Sequence, residues 1–375
     1  MFREKIGPNS NSFSNKRYTI KYNVIHLRNY SKAAYDLSLK SSVTPVVDDY
    51  DTFLNKSFIL KKDTKNKAGI SENHTNLFLN KLNPWFITGL SDSESSFIVN
   101  ITKKPKYKTG YDVSLSFSIG LNEKDKALLE NIQSYFGIGQ IYKQTHNSYS
   151  YRVQSVKDLQ VIITHFDNYP LITQKLADYL LFKEVVNIIQ LKKHLSKEGL
   201  EKIVGIKDSI NRGLSNVLKE AFPNVVVVKR PLIENQIIPH PEWLAGFVSG
   251  DGCFYIKLIH SSVHRTGFRV QLGFIIAQHI RDEQLMKIIK EFLGCGYVYS
   301  QSNKEAVYLK VENFSDVNDK VIPFFTKYSI LGEKSCDFSD FKKVAVLIKD
   351  KNHLNQTGLA KIRIIKAGMN RGRSI

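Results

Sequence analysis

The chain has 375 residues, and its 54 Lys and Arg residues outnumber its 35 Asp and Glu residues, which gives a formal net charge of +19. A hydrophobic fraction of 42% is too high for a disordered chain, and the length suffices for two or three domains. The three cysteines show no CxxC spacing, which argues against a disulfide framework and against a cysteine-rich zinc site. No apolar run is long enough to cross a bilayer, so a membrane-spanning protein is excluded. The positive charge predicts a polyanionic partner, most often nucleic acid.

Residues 1–78 stand apart from the rest of the sequence. They are rich in Asn, Ser, Lys and Tyr, and their scattered apolar residues follow no sustained period. Such a composition favours a weakly ordered N-terminal extension rather than an independent domain.

After this extension the sequence repeats itself. NPWFITGLSDSE (83–94) resembles HPEWLAGFVSGD (240–251), with an offset of 157 residues. Farther along the offset becomes 159, and Lys175 then matches Lys334. Many matches in the same order predict two copies of one domain. We place the copies at 79–220 and 241–375, joined by a proline-containing linker at 221–240.

Each copy predicts the same elements in the same order. A short helix starts after Pro84 or Pro241, and two strands with clean apolar–polar alternation follow it. This alternation buries one face of a sheet and turns the other face to a polar partner. The first copy continues with a helix near 123–136, strands around 139–144 and 149–154, and closing helices at about 173–194 and 200–219. The second copy continues with a helix near 281–293, strands at 296–301 and 306–311, and closing helices at about 338–350 and 356–368.

Small residues recur four apart on the two short helices: Gly89 and Ser93 in the first copy, Gly246 and Gly250 in the second. Glycine inside a helix costs about 1 kcal/mol relative to alanine, so its recurrence predicts a packing purpose. Small residues at this spacing let two helices approach backbone to backbone. We therefore expect the two helices to pack on each other about a pseudo-two-fold axis.

This packing brings the last residues of the two helices, Glu94 and Asp251, to one place. Carboxylates at a helix C-terminus oppose the helix dipole, and two neighbouring carboxylates repel each other. A divalent metal removes both penalties, and Mg²⁺ commonly takes one or two carboxylates together with phosphate oxygens and water. The sequence therefore predicts that Glu94 and Asp251 bind metal next to a phosphate-bearing substrate.

ITGLSDSES (87–95) and LAGFVSGDG (244–252) resemble the two LAGLIDADG motifs of single-chain homing endonucleases. The resemblance covers about 83–375 and is closest to the I-OnuI-like group of fungal mitochondrial introns, including a late Asn-Arg-Gly stretch in each copy. It implies an α+β fold of two pseudo-symmetric αββαββα repeats. Their antiparallel sheets would form a saddle over DNA, with the motif helices packed at the centre.

The same resemblance implies a monomeric, site-specific endonuclease that cuts double-stranded DNA. With Mg²⁺ it would hydrolyse one phosphodiester on each strand and leave short 3′ overhangs. The family's metal-binding catalytic acid falls at the eighth motif position, which is Glu94 in one copy and Asp251 in the other. The first motif ends Glu-Ser rather than Asp-Gly, and Ser249 stands where Asp is usual. Asp92 holds that position in the first copy, and we expect it at the helix end or supporting the metal site.

Other predicted site residues lie on or beside the strands. The family often places a Gln and a Lys near the cleaved phosphates, and Gln271 and Lys304 are our candidates for these roles. Sequence readout is expected from the polar strand faces, since Arg or Lys pairs with guanine and Gln with adenine in the major groove. The readout residues predicted for the first copy are Asn100, Thr102, Ser114, Ser116, Gln140, Tyr142, Gln144 and Arg152. Those predicted for the second copy are Tyr255, Lys257, Arg269, Gln271, Tyr297, Tyr299 and Lys310.

Two other functions remain open on the same scaffold. An RNA maturase that assists splicing of its own group I intron needs a basic surface but not the paired acids, and a non-cutting DNA-binding regulator needs no acids either. The excess of Lys, Asn, Ile and Tyr over Ala, Pro and Arg is typical of an A+T-rich genome. With the resemblance, it predicts a mitochondrial protein encoded in the organelle.

Overall fold

The computed structural model describes residues 82–144, 147–301 and 304–373. The predicted extension at 1–78 lies outside the described residues. The elements of the first copy are α1 (Pro84–Glu94), β1 (Ser95–Lys103), β2 (Tyr111–Asn122), α2 (Lys126–Phe136), β3 (Gln140–Lys143), β4 (Ser148–Val153), α3 (Val156–Asn168), α4 (Lys175–Gln190), α5 (Lys197–Asp208) and α6 (Asn216–Ala221). Residues 222–240, which overlap the predicted linker, contain no helix or strand.

The second copy follows the same order. Its elements are α7 (Pro241–Asp251), β5 (Gly252–His260), β6 (Phe268–His279), α8 (Glu283–Leu293), β7 (Tyr297–Ser300), β8 (Ala306–Val311), α9 (Phe314–Asp316), a π-helical turn (Val317–Val321), α10 (Ile322–Lys327), α11 (Lys334–Lys349) and α12 (Gln356–Ala367). Within the described ranges, no helix has the length and apolar character required of a transmembrane span.

Each copy contributes one four-stranded antiparallel sheet. The strand orders are β1-β2-β4-β3 and β5-β6-β8-β7. The edge strands are therefore β1 and β3 in the first sheet and β5 and β7 in the second. One face of each sheet is buried by the helices: the Phe97 ring of β1 lies 5.4 Å from the Phe182 ring of α4, and the Phe254 ring of β5 lies 5.3 Å from the Phe341 ring of α11. The other face carries mostly polar side chains. The predicted α+β class and strand alternation are confirmed.

The motif helices α1 and α7 begin in the same way. Proline occupies the first turn of each, where its missing N–H costs no hydrogen bond. The side chain of Asn83 accepts a hydrogen bond from Trp85 N at 2.9 Å, and His240 Nδ1 accepts one from Glu242 N at 3.1 Å. These caps define where each helix starts, and each helix ends eleven residues after its cap, at Glu94 or Asp251.

One helix of the first copy was not predicted, and one predicted helix was wrong in its extent. Helix α3, which begins at the Ser155 cap, was not predicted, although it supplies Phe166 to the first core. The helix predicted at 200–219 is two helices, because Asn211 and Gly213 adopt left-handed backbone angles of 54° and 74° in φ. The break places Asn211 Nδ2 where it donates a hydrogen bond to Phe97 O at 2.7 Å, and this bond connects the helical region to β1. Asn370 makes the matching bond to Phe254 O at 3.1 Å, which accounts for the late Asn-Arg-Gly stretch.

Candidate active site

Helices α1 and α7 pack backbone to backbone through their glycines. A methyl group placed on Gly89 would lie 1.9 Å from Trp243 O, and one placed on Gly246 would lie 2.0 Å from Phe86 O. A methyl group on Gly250 would lie 2.0 Å from Ser93 Oγ. No side chain larger than hydrogen fits at these contacts, so the predicted close approach of the two helices is confirmed.

This approach places the two acids that end the helices in one partly buried environment. Burial raises the pKa of both Glu94 and Asp251, and the nearby charge of Asp251 raises the pKa of Glu94 further. Lys175 and Lys334 act in the opposite direction on both carboxyls. The site is therefore a pair of acids held close enough to repel, with two ammonium groups partly offsetting their charge.

The two lysines are held against the ends of the motif helices. Lys175 Nζ donates to Ser91 O at 2.9 Å and to Ser93 O at 3.1 Å, and Lys334 Nζ donates to Gly250 O. Burial lowers the pKa of both lysines, and the neighbouring carboxylates oppose that shift.

Each lysine opens a helix that the opposite half of the molecule holds in place. Lys175 is the first residue of α4 and Lys334 the first of α11. Asp282 of the second copy accepts a hydrogen bond from Gln174 N at 2.8 Å, and Asp125 of the first copy accepts one from Glu333 N at 2.6 Å. A cation at a helix N-terminus opposes the helix dipole. A lysine at this unfavourable position in both copies was a sequence signal for a role of Lys175 and Lys334, and the sequence analysis did not use it.

The predicted lysine lies elsewhere. Lys304 is an exposed residue of the turn before β8, and its backbone N–H donates to Gln301 O at 3.0 Å. The structure brings Lys175 and Lys334 to the carboxylates rather than Lys304. The position of a turn residue depends on loop geometry, which strand alternation does not specify.

The glutamine beside the acids also differs from the predicted one. Gln278 Nε2 donates to Asp251 Oδ2, whereas Gln271 lies seven residues earlier on β6 and pairs with Lys257 of β5. Gln271 Oε1 instead accepts a 3.5 Å hydrogen bond from Arg269. The repeat partner of Gln278 is Leu121, whose side chain cannot donate, so the two carboxylates have different surroundings.

Asp92 joins the two halves and lies in the helix interface. Its carboxylate accepts hydrogen bonds from Ile172 N at 3.0 Å, from Thr173 N and Oγ1 at 3.2 and 2.6 Å, and from the Trp243 indole at 2.8 Å. Burial raises the pKa of Asp92 to about 6, although these bonds lower it. Ser249, its counterpart, accepts a bond from Leu331 N at 3.1 Å. Asp92 therefore links α1 to residues 172–173, which precede α4, and to α7.

The first sheet exposes most of the predicted readout residues. Those that lie exposed on its polar face or beside it are Asn100, Thr102, Ser114, Gln140, Tyr142 and Gln144. Arg152 is half-buried, with its guanidinium 5.4 Å from the centre of the Tyr142 ring. Ser116 is only 9% exposed, because it lies on the central strand β2 opposite the larger Ile98. The placement of Ser116 on the accessible surface was wrong.

The second sheet differs from the first in how its polar face is organised. Arg269 is exposed, and Tyr299 stacks between Tyr297 and Tyr308 with centroids 5.7 and 5.1 Å away. Four other predicted readers, Tyr255, Lys257, Tyr297 and Lys310, all bond to one carboxylate, that of Glu312. Sequence reasoning did not select Glu312, because an acid on a surface expected to bind a polyanion carried no positive signal.

A cavity of about 770 Å³ opens beside Glu94. Its lining comes from both copies of the repeat and includes Gln144, Arg152, Lys334 and Arg371. Four basic residues (Lys124, Arg152, Lys334 and Arg371) and four acidic residues (Glu94, Asp125, Glu333 and Asp337) line it. The cavity therefore offers cationic groups to a phosphate and carboxylates to a metal ion.

A model of the LAGLIDADG endonuclease family matches the chain twice, over residues 87–186 and 244–345. The chain belongs to the LAGLIDADG endonuclease family. Each match starts within a motif helix and lies in one copy of the repeat. The catalytic acids that the resemblance assigned therefore lie within matched segments.

Curated relatives of this LAGLIDADG chain are intron-encoded proteins. The probable intron-encoded endonuclease 2 of Neurospora crassa is 42% identical over 306 residues, which cover 78% of this chain and 66% of that protein. The probable intron-encoded endonuclease 3 of the same organism is 38% identical over 76% of this chain and 54% of that protein. The chain thus spans between half and two thirds of these two relatives.

Solved LAGLIDADG structures share the fold. The I-SmaMI homing endonuclease bound to cleaved DNA matches with a TM-score of 0.77 at 48% identity, covering 78% of this chain and 99% of that chain. I-CpaMI bound to uncleaved DNA matches with a TM-score of 0.74 at 46% identity, covering 77% and 99%. The predicted two-repeat LAGLIDADG architecture is confirmed.

Proposed function

We propose that the chain is a monomeric, site-specific DNA endonuclease that cuts both strands of its target and leaves short 3′ overhangs. The observation that carries the proposal is the pairing of Glu94 and Asp251 at the ends of two helices in backbone contact. Each acid belongs to one copy of the repeat, next to one sheet with a polar face. One half of the molecule therefore serves each DNA strand. We assign the copies to 79–220 and 241–375.

The donor set fits a divalent cation, and we propose Mg²⁺. Glu94 and Asp251 offer the carboxylate oxygens that Mg²⁺ prefers. The two negative charges repel each other, and a bound cation would remove this repulsion. Within the described residues, no group of three or more His, Cys, Asp or Glu side chains is arranged to hold a metal. DNA phosphates and water would therefore complete the coordination. When bound, Mg²⁺ supplies Lewis-acid stabilisation of the phosphate charge and activates water.

The chain's own groups hold the acids and compensate charge. Gln278 orients Asp251, and Lys175 and Lys334 place positive charge beside the position at which a phosphate gains negative charge. Solved variants of I-SmaMI replace two lysines by alanine, singly and together, and those lysines are 159 residues apart, the same separation as Lys175 and Lys334. The equal separation indicates that Lys175 and Lys334 correspond to those two lysines, and we propose a role in cleavage for both.

Replacing Lys175 or Lys334 by methionine is expected to slow cleavage about tenfold to a thousandfold, because an aligned positive group is lost while the side-chain stem is kept. The measurement is single-turnover cleavage of a plasmid, with nicked and linear products followed separately. Each variant should slow one strand more than the other, since each lysine bonds to the end of a different motif helix.

Lys183→Met is the matched control, because Lys183 pairs with Asp167 at 2.6 Å on the partly exposed side of α4. Its cleavage rate should equal that of the unaltered chain. Equal rates for Lys175→Met and the unaltered chain would contradict the assignment.

The polar faces of the two sheets are proposed to read DNA in the major groove. Because these faces differ between the copies, the target should not be a palindrome, and two half-sites correspond to roughly 20 base pairs. Six to ten phosphate contacts would give a log–log salt slope of about −5 to −9.

Incubation of the full chain with duplexes bearing the intron insertion sites of related genes, and with a randomised library, tests the function. We expect cleavage in Mg²⁺ and uncut binding in Ca²⁺, which fills similar sites with looser geometry. I-SmaMI has been solved with an uncleaved DNA target in the presence of calcium ions. If no duplex is cut and the protein instead speeds intron splicing, the maturase function replaces this proposal.

A mitochondrial location is also proposed. Relatives include a protein of ND4 intron 1 in Podospora anserina and the probable endonuclease Cox1-I1b of Schizosaccharomyces pombe. ND4 and cox1 introns belong to fungal mitochondrial genes, and the amino-acid composition of this chain is typical of an A+T-rich genome. Organelle codon usage in the coding DNA would support the location, and standard nuclear usage would oppose it.

A further inference from the structure

One carboxylate lies among the predicted readout residues of the second sheet. Glu312 directly follows β8 and shares a face with Lys310, because Leu309 and Val311 on either side of Lys310 are buried. Its side chain is 17% exposed. By the register of the two sheets, the first copy carries an exposed Gln154 at this position. The carboxylate is therefore a feature of the second half alone.

Four donors converge on Glu312. Oε1 accepts from Tyr255 OH at 2.8 Å and from Lys257 Nζ at 3.1 Å. Oε2 accepts from Tyr297 OH at 3.1 Å and from Lys310 Nζ at 3.0 Å. Burial opposes ionisation of Glu312, but these four bonds outweigh it and lower the pKa to about 2. A carboxylate has about four acceptor positions, so Glu312 has none to spare for a DNA base.

A glycine makes the cluster possible. The ring of Tyr255 crosses strand β6 above Gly273, where a methyl group would lie 2.1 Å from the ring. The first copy has Ser116 at the position of Gly273 and Ile98 at that of Tyr255, so it cannot build the same arrangement. Tyr255 reaches Glu312 across the sheet only because Gly273 has no side chain.

The cluster changes what the two lysines can do. A free lysine next to DNA has a flexible stem and a strongly hydrated charge, so it pairs with the nearest phosphate. Here Lys257 and Lys310 each use one N–H on Glu312 and keep two others, and the three groups together carry only one net positive charge. Donors held in place before binding lose less conformational entropy when they meet base edges.

We propose that Glu312 is a positioning residue for sequence readout. It holds four donors of the second sheet in one arrangement and directs them to base edges in place of phosphates: Tyr255, Lys257, Tyr297 and Lys310. The proposal rests on the proposed function as a site-specific DNA-binding enzyme. It predicts that part of the specificity of the second half-site depends on a residue that does not itself contact a base.

The test is selection from a randomised duplex library by the full chain in Ca²⁺, comparing the unaltered protein with Glu312→Gln. We expect base preference to fall at least fivefold at two or three adjacent base pairs of one half-site, with the other half-site unchanged. Lys257 and Lys310, no longer bound to a carboxylate, should form ion pairs with DNA phosphates. The log–log salt slope on an unrelated duplex should therefore steepen by about one to two.

Two variants separate positioning from charge and from folding. Gly273→Ser displaces Tyr255 without altering charge, so it should weaken preference at the same base pairs and leave the salt slope unchanged. Glu291→Gln removes one negative charge from the exposed side of α8, and it should leave every base preference unchanged. The thermal midpoint of each variant shows whether it is folded.

Two outcomes overturn the proposal in distinguishable ways. If a folded Glu312→Gln or Gly273→Ser variant selects the same sequences as the unaltered chain, Glu312 only reduces the positive charge of the surface and does not position the donors. If the unaltered chain itself selects no sequence, the proposed function fails and this inference fails with it.

Discussion

Replacing Glu94 by glutamine, or Asp251 by asparagine, is expected to abolish double-strand cleavage, with a loss of about a thousandfold or more. A neutral amide has nearly the same shape but is a poor Mg²⁺ ligand, and metal-ion catalysis is worth several kcal/mol. Because each acid is proposed to serve one strand, a single substitution suffices to prevent a double-strand break. The measurement is the conversion of a supercoiled plasmid carrying the selected target, with nicked and linear DNA resolved on a gel.

DNA binding should survive the same substitutions. Each removes a negative charge from a site that a phosphate approaches, so affinity measured without divalent metal should be unchanged or higher. Glu130→Gln is the matched control, because Glu130 is an exposed acid of α2 that pairs with Lys126 at 2.6 Å. This control should cut normally. Linear product from Glu94→Gln at the normal rate would refute the assignment of Glu94.

Replacing Gly89 or Gly246 by alanine is expected to destabilise the fold by about 3 kcal/mol or more. The added methyl groups would lie 1.9 Å from Trp243 O and 2.0 Å from Phe86 O, and a helix backbone cannot yield as a flexible side chain can. Overpacking of a well-packed core usually costs about 1–3 kcal/mol, and a backbone clash on both sides of an interface lies at or above the upper end. Urea unfolding followed by tryptophan fluorescence measures this loss, since Trp243 lies in the same interface.

Gly120→Ala provides the control for these variants. Gly120 lies on β2 with nothing within 4 Å of an added methyl group and with ordinary backbone angles. Its free energy of unfolding should stay within about 1 kcal/mol of the unaltered chain. If Gly89→Ala is equally harmless, the two motif helices are not in backbone contact.

Much of the fold was predictable from local patterns that occur twice. The alternation in β1 and β2 recurs in β5 and β6, and proline marks the start of both motif helices, so each copy supports the interpretation of the other. Helix α3 was not predicted, although Leu159, Ile162, Ile163 and Phe166 follow a helical period after the Ser155 cap. The break at Asn211 was missed because its cause is a hydrogen bond to Phe97, 114 residues earlier in the chain.

The sequence by itself determined the two copies, the α+β class, the family and the position of Glu94 and Asp251 at the ends of the motif helices, because each depends on residues that are close together in the chain and recur at one offset. Only the tertiary structure decided that Lys175 and Lys334 lie beside those acids, that Gln278 rather than Gln271 bonds to Asp251, and that Asp92 ties the halves together. The tertiary structure also brings Tyr255 and Lys310 into contact with the carboxylate of Glu312. These contacts join residues from different elements, and their distances depend on how helices and sheets pack, which no local period encodes.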